Sequence, residues 1–157
     1  MTTTGNFTTA QIKADEEACV LPQFNLEIAN KLGLFALDLA NEKKISVVIS
    51  IRIGEWEVFK VSMPGRNPLN DNWVRRKARV VYLTRTSTMF QRVNAEEQGL
   101  NWHQLHSVSE EDHAIHGGGF PIATPEGFQG ALIISGLPQV DDHLFAIEIL
   151  TKFKKSL

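Results

Sequence analysis

The spacing of apolar positions changes several times along the chain, and each change marks an element. From Phe24 to Lys44 the spacing is helical, with Ile28, Leu32, Phe35 and Leu39 following i, i+4, i+7, i+11. Leu26, Ala29, Ala36, Leu37 and Ala40 widen that face, so the helix is expected to be covered on more than one side. Asn25 provides a cap. Gly33 costs about 1 kcal/mol against Ala in mid-helix, which points to close packing there. Upstream, a short amphipathic helix is predicted from Thr9, with Asp15, Glu16 and Glu17 on its wet side and Pro22 ending it. The Thr-rich residues 1 to 8 are expected to fray.

From Ile45 the period drops to two. ISVVISIRI places Ile45, Val47, Ile49, Ile51 and Ile53 on one face and Ser46, Val48, Ser50 and Arg52 on the other. After Gly54-Glu55-Trp56, EVFKVSM returns with Phe59, Val61 and Met63 on one face, which predicts an antiparallel hairpin closed by the loop PGRNP. LNDNWVRRKARVVYLTR is a second long helix, with Asn70 or Asp71 as cap and Trp73, Val74, Ala78 and Val81 facing inward. The polar residues 86–98 continue as another helix up to Gly99, and 100–112 reads as loop. GGFPIATPEGFQGALIISG is a second hairpin, with Pro125 at i+1 and Gly127 at i+3 of its turn and ALIIS as a central strand. The last helix is QVDDHLFAIEILTKFKKSL, with Pro138 in its first turn. Asp141 and Asp142 lie at its positive end and Lys152, Lys154 and Lys155 at its negative end. Hairpins without βαβ alternation predict an α+β domain, an antiparallel sheet with helices packed on it, spanning residues 1–157 as one unit.

Composition narrows the class. A chain of 157 residues with 43% hydrophobic and 22% charged residues can bury a full core. A formal net charge of −2 creates no global field favouring nucleic acid or an anionic membrane. The lone Cys19 excludes an internal disulfide framework and fits a reducing compartment. MTTTGNFTTAQIK lacks the basic and apolar regions of a secretory signal, and no window approaches a membrane span, so a cytoplasmic protein is expected.

The chemistry concentrates in HAIHGGGFPIA, residues 113–123. A phosphate cradle needs glycines running into a helix N-terminus, whereas Gly117-Gly118-Gly119 runs into Phe120-Pro121, and Pro121 has no N–H. Two readings remain open, a backbone bulge with φ > 0 and a rim that contacts a ligand. His103, His106, His113 and His116 show neither the HExxH spacing nor cysteine partners and read as solvated loop residues, with no metal site. Axial ligation of haem by His116 or His143 is chemically allowed. No GxSxG elbow is present. Ser135, Asp141, Asp142 and His143 could be drawn as a triad, but a strand end followed by dipole-matched acids is the favoured reading. The basic stripe of Arg75, Arg76, Lys77 and Arg79 reads as a solvated face, or as a receiver of carboxylate or propionate groups.

LPQFN, ISVVISI, PGRNPLNDNWVRRKA, HGGGFPI and ISGLPQVDDH occur in an order that resembles the UPF0303 family, across about residues 16 to 155. That family is related to the haem-binding proteins of the HbpS, GlcG and PduO-C-terminal type. The resemblance implies a profilin-like or PAS-like sandwich with a five-stranded antiparallel sheet, assembled as a homo-oligomer, dimer or higher. It also implies that haem is a candidate ligand, since some relatives bind or degrade it. The matching positions are Asn67, Trp73, Arg76, Lys77, His116 to Pro121, Ser135, Gly136, Asp142 and His143. The chain departs in TRTSTM, where Thr86, Ser87 and Thr88 stand in place of an expected Phe and paired serines. The expected ligand-binding set is His116, Gly117, Gly118, Gly119, Phe120, Ser135, Gly136, His143, Arg76 and Lys77. The first functional expectation is a small-ligand or haem-binding and sensing module. The alternatives are a haem-degrading or other small-molecule enzyme using a histidine, and an oligomeric scaffold or chaperone-associated protein.

Overall fold

A computed structural model describes residues 4–157. Its centre is a four-stranded antiparallel sheet in the order β2-β1-β4-β3, formed by β1 (Val48–Ile53), β2 (Trp56–Ser62), β3 (Gly119–Thr124) and β4 (Gly127–Ser135). The expected fifth strand is absent from the described residues. Residues 113–118, which lead into β3, are irregular, with a bend at His116 and a turn at Gly117 and Gly118, where Gly118 takes φ +126. Past that positive angle the chain becomes extended, and pairing begins at Gly119.

Two helices cover one face, α2 (Leu26–Glu42) and α6 (Gln139–Lys154). The two-residue alternation of β1 sends Val47, Ile49 and Ile51 into this layer, where they meet Leu32, Ala36, Phe145, Ile149 and Phe153. Gly33 fits here, because a Cβ at that position would collide with the ring of Phe59 on β2. The opposite residues, Val48, Ala131 and Ile133, pack under Val74, Ala78 and Val81 of α3 (Pro68–Thr84). Next to α3 stand α4 (Thr88–Gln98) and a short α5 (Trp102–His106), while α1 (Thr9–Ala18) packs against α4 and α6.

Local signals differ from expectation in three places. Asn67 caps α3, accepting from Leu69 N, while Asn70 reaches back to the Asn67 N–H in a capping box. Within residues 100–112, Asn101 caps the five-residue α5 by accepting from Gln104 N. Of the stretch expected to fray, residues 1–3 lie outside the described residues, whereas Thr4 is buried and Phe7 packs against His143 at 5.2 Å between ring centroids.

Candidate functional site

The site is assembled from α3, the β4–α6 junction and the turn before β3. α3 crosses the sheet with Lys77 on the same face as Val74, Ala78 and Val81. Lys77 is therefore not on a solvated stripe. Its side chain is 3% exposed and runs inward to the end of β4. There Nζ donates to Ile134 O at 2.9 Å and to Asp142 Oδ2 at 3.2 Å. The other carboxylate oxygen of Asp142 accepts from Leu137 N at 3.0 Å, which closes the first turn of α6. Asp142 is thus a buried ion-pair partner as well as a residue at the positive end of a helix.

The glycine motif is shaped around this pair. A Cβ at Gly118 would collide with Ile134 O and lie 2.7 Å from Lys77 Nζ and 3.1 Å from Asp142 Cβ, at a φ that L-residues rarely adopt. A Cβ at Gly117 would collide with Gln139 O, and one at Gly119 would lie 2.7 Å from Thr88 Cγ2. The motif's backbone is also anchored. Gly117 N donates to Gln139 Oε1 at 3.2 Å, Ile134 N to Gly118 O at 2.8 Å, and Gly119 N to Thr88 Oγ1 at 3.0 Å. The three glycines therefore let a turn lie flat on the ion pair. Their N–H groups at 117 and 119 are spent within the protein and do not face a ligand.

Above the pair is an open cavity of about 260 Å³. Lys77 and Asp142 form part of its lining, with Asn70, Trp73, His116 and Ser135 around them and Gly136, Leu137 and Gln139 at the β4–α6 junction. Asn70 Nδ2 donates to Ser135 Oγ at 3.2 Å. The Ser135 hydroxyl proton finds no acceptor among the described residues. His116 packs edge-on against Trp73 at 4.6 Å between centroids, and its Nδ1 is buried without a partner. Two of the three Lys77 ammonium protons have protein acceptors, which leaves one for an occupant of the cavity.

Burial dominates the electrostatics. It lowers the affinity of Lys77 for its proton, with Asp142 acting against that effect. Burial also raises the Asp142 carboxyl to about 6, although Lys77 favours the ionised form. The His116 imidazole is pushed down to about 4 by burial and by the positive charges of Arg92, Lys77 and Arg76. It is therefore neutral at pH 7, with an uncharged nitrogen available as a hydrogen-bonding group.

The other expected residues lie elsewhere. Arg76 extends away from Lys77 to stack over Trp73 at 4.4 Å and donates to Glu110 O. It borders a second cleft of about 290 Å³ on the far side of His116, together with Arg92, His103 and His113. Phe120 is fully buried in the core, because its strand position faces α2 and α6. His143 is fully buried as well, between the rings of Phe7 and Phe120, and neither ring nitrogen has a partner. No Ser-His-Asp relay exists. His143 makes no hydrogen bond to Ser135 or Asp142 among the described residues. The hydroxyls of 86–88 serve the fold, since Ser87 caps α4 and bonds Glu16 while Thr88 holds Gly119. Asn70 and Asp142 complete the cavity and were not in the expected ligand set. No cluster of three or more metal-ligating side chains occurs among the described residues.

A family model described as haem degrading protein HbpS-like matches residues 24–151. The chain belongs to the HbpS-like family. A UPF0303 protein of Streptomyces avermitilis is 33% identical to this HbpS-like chain over 147 residues, 93% of the chain and 90% of the relative. Among solved structures, that of the Ybr137w protein superposes with a TM-score of 0.86 at 24% identity, covering 94% of this chain and 89% of that one. A PduOC:heme complex superposes with a TM-score of 0.65 at 22% identity, covering 80% and 94%. At these identities the two structural likenesses carry the HbpS-like fold and nothing about its ligand.

The family's description raises haem as an occupant, and the residues of this cavity do not fit it. Pockets that enclose a drug-sized molecule measure roughly 300–1,000 Å³, and an iron porphyrin with its two propionates is at least of that size. The cavity here falls below the range, and the buried Lys77–Asp142 pair lies in its wall, with Asn70 and Ser135, beside Trp73 and Leu137. His143 offers no axial nitrogen, because core side chains enclose it.

Proposed function

We propose that the protein is a small-ligand-binding module of the cell interior, acting as a homo-oligomer, whose cavity takes a compact anion such as a short-chain carboxylate. The carrying observation is Lys77, an ammonium 3% exposed that still lines an open cavity with one N–H unspent. A charged hydrogen-bond donor in a low-dielectric recess attracts an anionic acceptor far more strongly than one in water. The Ser135 hydroxyl, the amide of Asn70 and the neutral His116 ring converge on the same space and can orient the remaining polar atoms. Homo-oligomerisation is carried over from the family resemblance, and the exposed Trp56 (63%) and Leu69 (71%) are side chains a second copy could cover.

Thermal melting against millimolar acetate, succinate, pyruvate and phosphate tests the binding reading. At least one of the carboxylates should raise the melting temperature in the wild type and leave His143→Leu just as responsive, while Asn70→Ala responds less. Hemin added at one equivalent should give no Soret band that depends on His116. A saturable Soret band lost in His116→Ala, with no response to any small anion, would overturn the reading in favour of haem. Light scattering during size-exclusion chromatography tests the assembly, and a purely monomeric mass would refute it.

A further inference from the structure

We infer that Lys77 is a nucleophile that holds a small 2-oxo acid as a covalent imine, with Asp142 moving the protons. The inference deepens the proposed function, since it rests on the same cavity and specifies what an anionic ligand must also carry: a carbonyl next to its carboxylate. Three features of geometry support it. Nζ is fixed by two acceptors, Ile134 O at 2.9 Å and Asp142 Oδ2 at 3.2 Å, so its remaining tetrahedral position is directed rather than free to rotate. Lys77 is among the residues lining the cavity, so that position is the one left for an occupant. When the ammonium loses its third proton to water, the lone pair takes that position while both protein hydrogen bonds survive. The backbone at Gly118 closes the other side, where even a methyl group would lie 2.7 Å from Nζ.

An ion pair serving stability alone has little reason to line an opening, since buried pairs contribute weakly and apolar packing often does as well. A lysine kept partly neutral by burial is the ordinary route to an amine nucleophile. Burial here shifts Lys77 down and Asp142 up, so the proton affinities of the two groups approach one another. The step then balances without any oxidant or reductant. The neutral amine attacks the carbonyl carbon, and the N–C bond forms as the C–O π bond opens. Asp142 takes one Nζ proton and returns it to the oxygen, giving the carbinolamine. It takes the second Nζ proton in the same way, and the oxygen leaves as water, so the carbon remains joined to Nζ by a double bond. Asn70 and Ser135 are within the cavity to receive the carboxylate.

The test uses the full chain with pyruvate and borohydride, followed by intact-mass measurement and peptide mapping. The expected result is one reduced adduct per chain, mapped to Lys77, absent in Lys77→Arg and formed at least about tenfold more slowly in Asp142→Asn. Acetate, which has the carboxylate and no ketone, should compete with adduct formation. Adducts spread over surface lysines at the same rate in wild type and Lys77→Arg would overturn the inference. If the variants fail to fold, the mapped position in the wild type still decides. Protection of melting by acetate together with no adduct sinks the imine and leaves anion binding standing. No protection and no adduct sinks both.

Discussion

Replacing His143 by leucine should stabilise the protein, and increasingly so in acid. The imidazole is fully buried on α6 between Phe7 and Phe120, and both ring nitrogens lack a partner. A buried polar side chain left without hydrogen bonds, taken as a whole, costs roughly 1–3 kcal/mol. Leucine, similar in volume and without polar atoms, should therefore raise the unfolding free energy at pH 7 by about 1–3 kcal/mol. Acid adds a second contribution. Burial lowers the His143 pKa from 6.5 to about 4, so the unfolded chain binds a proton at pH values where the folded chain does not. Stability conferred by the neutral ring is complete above 6.5 and is lost as pH falls toward 4. A shift of that size, at about 1.4 kcal/mol per pKa unit, amounts to about 3 kcal/mol across the window. His116 acts in the same direction, whereas Asp142 acts oppositely: its raised pKa makes stability fall as pH rises through about 6. Only the difference between wild type and variant isolates His143. Urea unfolding of both proteins at pH 7, 6, 5 and 4.5, followed by circular dichroism, gives that difference directly. A variant less stable at pH 7, or a difference that does not change with pH, would refute the reasoning and show the ring to be hydrogen-bonded or charged in the fold.

Three further outcomes are expected. Lys77→Met and Asp142→Leu should each cost about 3–5 kcal/mol by stranding a buried charge, while the double variant should recover most of that loss; a double-mutant cycle in urea checks it. Gly118→Ala should lose about 1–3 kcal/mol from its positive φ alone, with more from the contact on Lys77 Nζ, read as a lowered urea midpoint. Asn67→Ala should cost about 1 kcal/mol through loss of the α3 cap, with unchanged response to small anions in the melting assay.

The layers were legible wherever apolar spacing was unbroken. α2 and the first hairpin follow from period, the second hairpin from its Pro125 and Gly127 turn, and α6 from Pro138 and its end charges. Close packing at Gly33 followed from its place in a helix covered on several sides. The extra strand implied by family resemblance was not visible in any alternating run, and the described residues form four strands. Site residues were harder, because charge pattern encourages a solvated reading for every lysine in RRKAR. The signal for Lys77 was nonetheless present. It sits at i+4 from Trp73, i+3 from Val74 and i−4 from Val81, so it interrupts an inner face. Asp142 likewise precedes Phe145, Ala146 and Ile149 at helical intervals. His143 was misplaced for the opposite reason. Its motif neighbours suggested chemistry, while helix phase turned the ring toward Phe120, and Phe7, nearly 140 positions away in sequence, completes its enclosure.

The sheet's two margins differ, and the difference bears on how many copies can join. At β3 the outer side is shielded: Leu21 N donates to Ala123 O at 2.9 Å, and Pro121 has no N–H to present. At β2 no strand follows among the described residues, and its outer backbone groups are open to pairing. A sheet that can add a neighbour on one side only cannot grow into a ribbon. Two copies meeting β2 to β2 about a two-fold axis would use up both open margins and stop. Any assembly beyond such a pair would need contacts other than strand pairing, so the two kinds of contact would be separable by mutation.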